Sequence, residues 1–159
     1  MTDEQPIIRR LAPGAATELA GLEAEVFAGA DPWPAAAFVS ELSSPFTFYV
    51  GAHVGTQLVG YAGLARVGTE ADPDYEVHTM AVASSYRGTG LGRKLLNCLL
   101  AAADENPGPV FLEVRVGNDP AIGLYEAAGF TTIGRREKYY QPQGDDAWVM
   151  RREPAPQKA

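Results

Sequence analysis

The sequence predicts a mixed α/β (α+β) fold, a single domain with one central, mostly antiparallel sheet flanked by helices. Three observations predict it. Stretches with apolar residues at period two are interleaved with stretches at helical spacing, in the order β-α-α-β-β-β-α-β-α-β-β. Hairpin signals flank the middle of the chain, which argues against a regular doubly wound sheet. Between them, YRGTGLGRKLL at 86–96 runs three alternating glycines into a helical apolar pattern. A chain of 159 residues is one domain long, and at that size roughly two-thirds of the unfolded surface can be buried without a staple.

The elements follow in order. PIIRRLAP reads as a short strand and a turn. AATELAGLEAEVFAG places Leu19, Leu22, Val26 and Ala15 on one helical face, with Gly29 as the stop. DPWPAAAFVSELSSP predicts a short helix with Pro34 in its first turn and Pro45 beyond its end. A hairpin follows, with strands 46–53 and 58–67; Gly60 and Gly63 inside the second strand predict a bend or close packing. YEVHTMAV at 75–82 is a strand. The helix after the glycines runs to about Ala103, with Leu91, Leu95, Leu99 and Ala102 on one face and Cys98 beside them. FLEVRV at 111–116 is a strand, AIGLYEAAGF a helix closed by Gly129, and TTIGRREKYY with DAWVMRR a last strand pair. The domain spans 7–152, with flexible tails at 1–6 and 153–159.

Composition excludes several classes. The net charge is −7, and the basic clusters RREK at 135–138 and RR at 151–152 are too short for a nucleic-acid stripe. A basic peptide or protein partner suits this charge better. The single cysteine, Cys98, forbids an internal disulfide, and one cysteine with two histidines is too few for an ordinary structural zinc site. No metal is expected. The chain shows no secretory leader and no apolar run long enough to span a bilayer, which suits the cytosol.

The glycine segment chooses among anion-binding motifs. A dinucleotide fingerprint GxGxxG fails in both registers, and no register supplies a Walker A loop. What remains is a strand, a tight turn and a helix N-terminus, whose free N–H groups converge on an anion. Arg87 adds a charge-assisted donor. A plain glycine turn with no ligand is the competing reading.

RGTGLG at 87–92 resembles the pyrophosphate loop, Q/R-x-x-G-x-G/A, of the GNAT acetyltransferases. FLEVRVGNDPAIGLYEAAGF at 111–130 is similar to the family's second hallmark block, of the RimI type that acetylates protein N-termini. The resemblance covers roughly residues 7–152 and implies the GNAT fold, acetyl-CoA as cosubstrate and a protein N-terminus as acceptor. For this type that acceptor is the alanine of a basic small-subunit ribosomal protein. It also implies that Arg87, Gly88, Thr89, Gly90, Leu91, Gly92 and Arg93 receive the pyrophosphate. Met80, Ala81 and Val82 would pair with the pantetheine amides, and Asn118 would hydrogen-bond the same arm; its alternative is a helix N-cap.

Acetylation of an amine needs a base, stabilisation of the thioester oxygen and a proton for the departing thiolate. An α-amine, with a pKa of about 7.7–8.0, needs only a modest base, whereas a lysine near 10.4 is harder. Glu113 is the candidate base. It shares a strand face with Phe111 and Arg115, opposite Leu112, Val114 and Val116. A salt bridge to Arg115 or another arginine is the bland explanation; the resemblance implies catalysis. Tyr125 on pattern alone is a core phenol; the resemblance makes it the acid, with its cofactor side toward the thiolate. Glu76 and His78 alternate on one strand face and are candidates to contact the acceptor or order a water. Trp33, Phe38 and Tyr139, with Tyr140, are candidate walls of the acceptor groove. The open alternatives are a lysine or small-amine acetyltransferase and a non-catalytic acyl-CoA-binding module on the same fold.

Overall fold

The computed structural model describes residues 5–29, 32–140 and 145–154, apart from the side chains of Lys138 and Tyr140. The outermost residues of both expected tails, 1–4 and 155–159, and the Tyr140 side chain lie outside that description. The elements appear in the expected order: β1 (Ile7–Arg10), α1 (Ala16–Val26), α2 (Ala35–Ser43), β2 (Thr47–Val54), β3 (Gln57–Arg66), β4 (Tyr75–Val82), α3 (Leu91–Asp104), β5 (Val110–Arg115), α4 (Asp119–Ala127), β6 (Phe130–Tyr140) and β7 (Asp145–Arg152). A 3₁₀ turn, Pro13–Ala15, leads into α1, and a second, Ser84–Tyr86, leads into the glycine loop.

The seven strands form one sheet in the order β1-β2-β3-β4-β5-β7-β6. Every pairing is antiparallel except β4 with β5. A parallel pair needs a crossover, and α3 supplies it. That pair is short: only Tyr75↔Val110 and Glu76↔Phe111 are in register. Beyond them β4 stays paired with β3 up to Val82, while β5 follows β7 through Arg115. The two strands therefore part and leave a V-shaped split in the middle of the sheet.

Local chemistry explains the bend. A Cβ added at Gly63 would lie 2.2 Å from the Tyr49 ring, and the β3–β4 register shifts between Gly63 and Leu64. Glycine lets the tyrosine cross the strand, and the irregularity turns it. The apolar stripe of α3 is wider than the sequence expectation. Leu96, Leu100 and Ala103 are buried beside Leu91, Leu95 and Leu99, while Ala102 and Cys98 are only half-buried at its margin. The reason is packing: α3 lies against β2, β3 and β4 together, so two adjacent helical rows meet the sheet.

The face of α1 also differs. Ala15, Ala16, Leu19 and Leu22 are buried as the periodicity requires, but Glu23 is buried with them at 4 % exposure. The basic clusters are neutralised locally, as Arg135 pairs with Asp146, Arg136 with Glu113, Arg151 with Glu153 and Arg152 with Asp104. Among the described residues no helix is long and apolar enough to cross a membrane.

Candidate active site

The split opens into a cavity of about 970 Å³. Met80, Ala81 and Val82 line one side and Glu113 the other, with Asn118 and Tyr125 at the α4 end and Trp33, His78 and Tyr139 at the opposite end. The two residues expected to do chemistry thus face one space, although they come from different elements. Strand alternation leaves Glu113 half-buried between the buried Leu112 and Val114, and the edge of β5 freed by the parting brings all three to the cavity.

Glu113 is held from β6. Arg136 Nη1 donates to Glu113 Oε1 at 2.8 Å, and its guanidinium lies 4.4 Å over the Tyr139 ring. Burial raises the Tyr139 phenol above its ordinary value, and the Glu113 charge and a hydrogen bond to Glu113 raise it further. Glu113, Arg136 and Tyr139 form one cluster that holds the carboxylate in a set orientation. The bland sequence explanation named a salt bridge with Arg115 or another arginine. Arg115 instead reaches Asp145 at 3.4 Å, and Arg136 is the partner. The sequence reading took Arg136 only as part of a basic cluster.

Tyr125 is 9 % exposed and packs edge-on against Phe130, with ring centroids 5.9 Å apart. Burial alone pushes its phenol up to about 12. It therefore stays protonated through the neutral range and presents a donor to the cavity. Asn118 caps α4, its Oδ1 accepting from Ala121 N at 3.4 Å, and it lines the cavity as well. The N-cap alternative is thus realised.

The end of the cavity lined by Trp33 and His78 is anchored by two carboxylates, Glu23 and Glu41. Glu23 accepts from the Trp33 backbone N–H at 3.0 Å, from the Tyr61 hydroxyl and from Thr79 Oγ1 at 3.2 Å. Sequence reasoning missed Glu23; its one signal was a carboxylate on the apolar side of α1, one position after Leu22. Glu41 on α2 accepts from Tyr49 Oη at 2.6 Å and binds His78 Nδ1 at 2.6 Å. Trp33 stacks tilted on Phe38, with centroids 5.4 Å apart. Phe38 itself is fully buried and supports the wall from behind without being part of it. Glu76 binds His78 but does not line the cavity.

The glycine loop lies beyond Val82, outside the cavity walls. Gly88 and Gly90 have φ of 75° and 86°, a left-handed backbone that L side chains adopt at a cost, and Gly90 is the N-cap of α3. Lys94 N closes the first helical bond to Gly90 O at 3.1 Å, so the preceding first-turn N–H groups point out of the helix end. Arg87, Thr89 and Arg93 are exposed around them, and Leu91 is buried beneath. Thr89 Oγ1 donates to Tyr86 O at 2.5 Å and closes the turn. A Cβ on Gly92 would meet Val82 and Leu124 at 3.7 Å, so the loop abuts both the end of β4 and α4. The open N-terminus of α3, set at the end of the split, is a ready anion-binding site.

Comparison with known proteins agrees with this geometry. Residues 17–130 match the family described as Acetyltransferase (GNAT) family. The chain is 49 % identical over 152 residues to the N-alpha-acetyltransferase RimI of Mycobacterium tuberculosis, covering 95 % of each. It is 34 % identical over 120 residues to an N-alpha-acetyltransferase of Sulfurisphaera tokodaii, covering 74 % of this chain and 69 % of that one. The crystal structure of the ribosomal-protein-S18-alanine N-acetyltransferase from Escherichia coli superposes with a TM-score of 0.83 at 25 % identity, covering 98 % of this chain and 97 % of that one. The parted strands, the open helix N-terminus and the sequence matches lead to one assignment: this chain belongs to the GNAT acetyltransferase family, on its RimI-like N-alpha-acetyltransferase branch.

Proposed function

We propose that this protein acetylates the free α-amine of a protein N-terminus, using acetyl-CoA, and that its acceptor is the N-terminal alanine of a basic small-subunit ribosomal protein in the cytoplasm. One observation carries the reading: Glu113 and Tyr125 face the same cavity at the parting of β4 and β5. In this reading acetyl-CoA supplies the acetyl thioester. The backbone of Met80, Ala81 and Val82, together with Asn118, orients the carrier arm. The amides of Gly88 to Arg93, with the Arg87 side chain, hold its phosphates. Trp33, His78 and Tyr139 shape the acceptor end, with Glu76 holding His78 from outside the cavity. The acidic character of the chain favours a basic acceptor segment.

Glu113 takes the ammonium proton, directly or through one water, and the neutral amine attacks without an acyl-enzyme step. Tyr125 offers its O–H to the departing sulfur. A phenol near 12 gives up its proton to a thiolate only uphill, so hydrogen-bond donation to the growing charge is its main contribution. The domain boundaries proposed are 7–152, with the remaining ends as tails.

The test uses two peptides and product mass. One has a free N-terminal alanine followed by arginines and no lysine; the other has a blocked N-terminus and one internal lysine. A gain of one acetyl group on the first alone is expected. Product only on the second would assign lysine chemistry, and no product with acetyl-CoA binding intact would leave a small-amine enzyme or a binding module.

A further inference from the structure

The ring of His78 lines the cavity, yet neither of its nitrogens is available to it. Nδ1 lies 2.6 Å from Glu41 Oε1 and Nε2 lies 3.2 Å from Glu76 Oε1. An ionised carboxylate only accepts hydrogen bonds, and a neutral imidazole donates from one nitrogen only. Two carboxylates on the two nitrogens therefore suit the imidazolium. Glu41 is itself fixed by the Tyr49 hydroxyl at 2.6 Å, and Trp33 lies 6.4 Å from the imidazole, centroid to centroid. We propose that His78 is a positioning residue: as an imidazolium strung between Glu41 and Glu76, it ties α2 to β4 and fixes the wall against which the acceptor N-terminus is seated. It takes no proton from the acceptor. This rests on the N-terminal acetyltransferase reading.

The charged surroundings agree. Glu41 faces His78 from α2 and Glu76 from β4, with the Tyr49 phenol behind Glu41 on β2. Glu23 on α1 bonds Thr79, the next residue of β4. On the far side of Glu76 are Glu113 on β5 and Arg136 and Tyr139 on β6. The hydrogen bond to Glu41 raises the His78 pKa above the ordinary 6.5, burial opposes it, and the net direction is up. A raised imidazole pKa and a lowered Glu41 carboxyl mean the clamp is complete between pH 4.5 and 6.5 and is lost as pH rises through the higher folded value of His78. Acceptor KM should therefore climb on the alkaline side.

Two measurements test this. The first is a histidine ring NMR titration of the intact protein, assigned with His53→Gln, since the chain has only two histidines. Both His78 ring nitrogens should be protonated at pH 6, with a midpoint above that of a free imidazole. A single neutral tautomer at pH 6 would overturn the proposal. The second is kinetics of His78→Gln and Glu41→Gln on the alanine peptide. Peptide KM should rise about tenfold, with acetyl-CoA KM within about twofold, and the alkaline rise in peptide KM should disappear. A fall in kcat at unchanged peptide KM would make His78 a proton carrier and sink the idea. If His78→Gln does not fold, the wild-type titration and the pH dependence of wild-type KM still decide. If wild-type protein leaves the peptide unmodified, the acceptor reading fails while the titration judges the clamp independently.

Discussion

At the scale of single residues, the site separates orientation from reaction. Glu113 is pinned through one oxygen by Arg136 and lies against Tyr139, so its carboxylate needs little rearrangement to meet an ammonium. Glu113→Gln keeps the shape and removes the proposed base; kcat on an N-terminal peptide should fall on the order of 10²–10³-fold with peptide KM little changed, read by steady-state kinetics. Tyr125→Phe removes only the donor, and the expected loss is smaller, roughly 10–100-fold in kcat, with acetyl-CoA affinity by calorimetry preserved. The wild-type pH profile should show no Tyr125 limb in the neutral range, because burial has moved that phenol to about 12. An alkaline limb near 8 to 9 that vanishes in Tyr125→Phe would contradict this. Glu113 and Tyr125 were legible in the sequence as candidates, Glu113 as a carboxylate within a largely hydrophobic strand and by motif, Tyr125 by motif. Arg136 was not, because its meaning depends on β6 and β5 flanking β7.

Among the elements, helix ends and the α1–α2 connection matter most. The α3 N-terminus depends on Gly90 at φ 86°, where a Cβ costs about 1–2 kcal/mol. Nothing lies within 4 Å of that Cβ, so the loss is conformational rather than steric. Gly90→Ala should lower thermal stability modestly and weaken acetyl-CoA binding more than peptide binding; equal losses of both would argue against an anion loop. Glu23 joins three elements by accepting from Trp33, Tyr61 and Thr79. Burial chiefly, with the Glu23 charge next, raises the Tyr61 phenol, which therefore remains a donor. Glu23→Ala removes the acceptor those donors share and leaves the Tyr61 and Thr79 hydroxyls only their mutual contact at 3.4 Å, and about 2–4 kcal/mol of stability should be lost in chemical denaturation. Stability unchanged within about 0.5 kcal/mol would show that water replaces the carboxylate. The order and type of the elements were legible because period-two and helical spacing, with proline and glycine punctuation, are local signals. The breadth of the α3 stripe was not, since it reports how many strands the helix covers.

For the whole molecule, the parting of β4 and β5 determines what the fold can do. A fully zipped parallel pair would fill the cavity with ladder hydrogen bonds; β5 instead commits to β7 along its length. The same architecture couples stability to pH through Glu41 and His78. Burial would raise the Glu41 carboxyl, but hydrogen bonds from His78 and Tyr49 outweigh it and the net direction is down from 4.5. A lowered carboxyl pKa contributes stability above 4.5 that is lost as pH falls through the folded value. His78 contributes below 6.5 and loses its share as pH rises through its raised value. The ion pair is at full strength between those two ordinary values. Melting temperature of wild type minus that of Glu41→Gln should therefore peak between pH 4.5 and 6.5 and shrink on both flanks. A difference that does not vary with pH would mean that Glu41 acts by packing alone.

The sequence by itself determined the element order, the anion-loop candidate at 87–92 and the two residues proposed for chemistry. Each of these is written in near neighbours: alternation, helical spacing, a glycine at a required left-handed position, a motif of fixed length. The tertiary structure alone decided which carboxylates build the site around them. Glu23 meets Tyr61 across 38 residues, Glu41 meets His78 across 37, and Arg136 meets Glu113 across 23. No local period encodes such pairings. They exist because folding brings a helix face, a strand face and a sheet edge to the same split, where a buried charge persists only if it finds a partner.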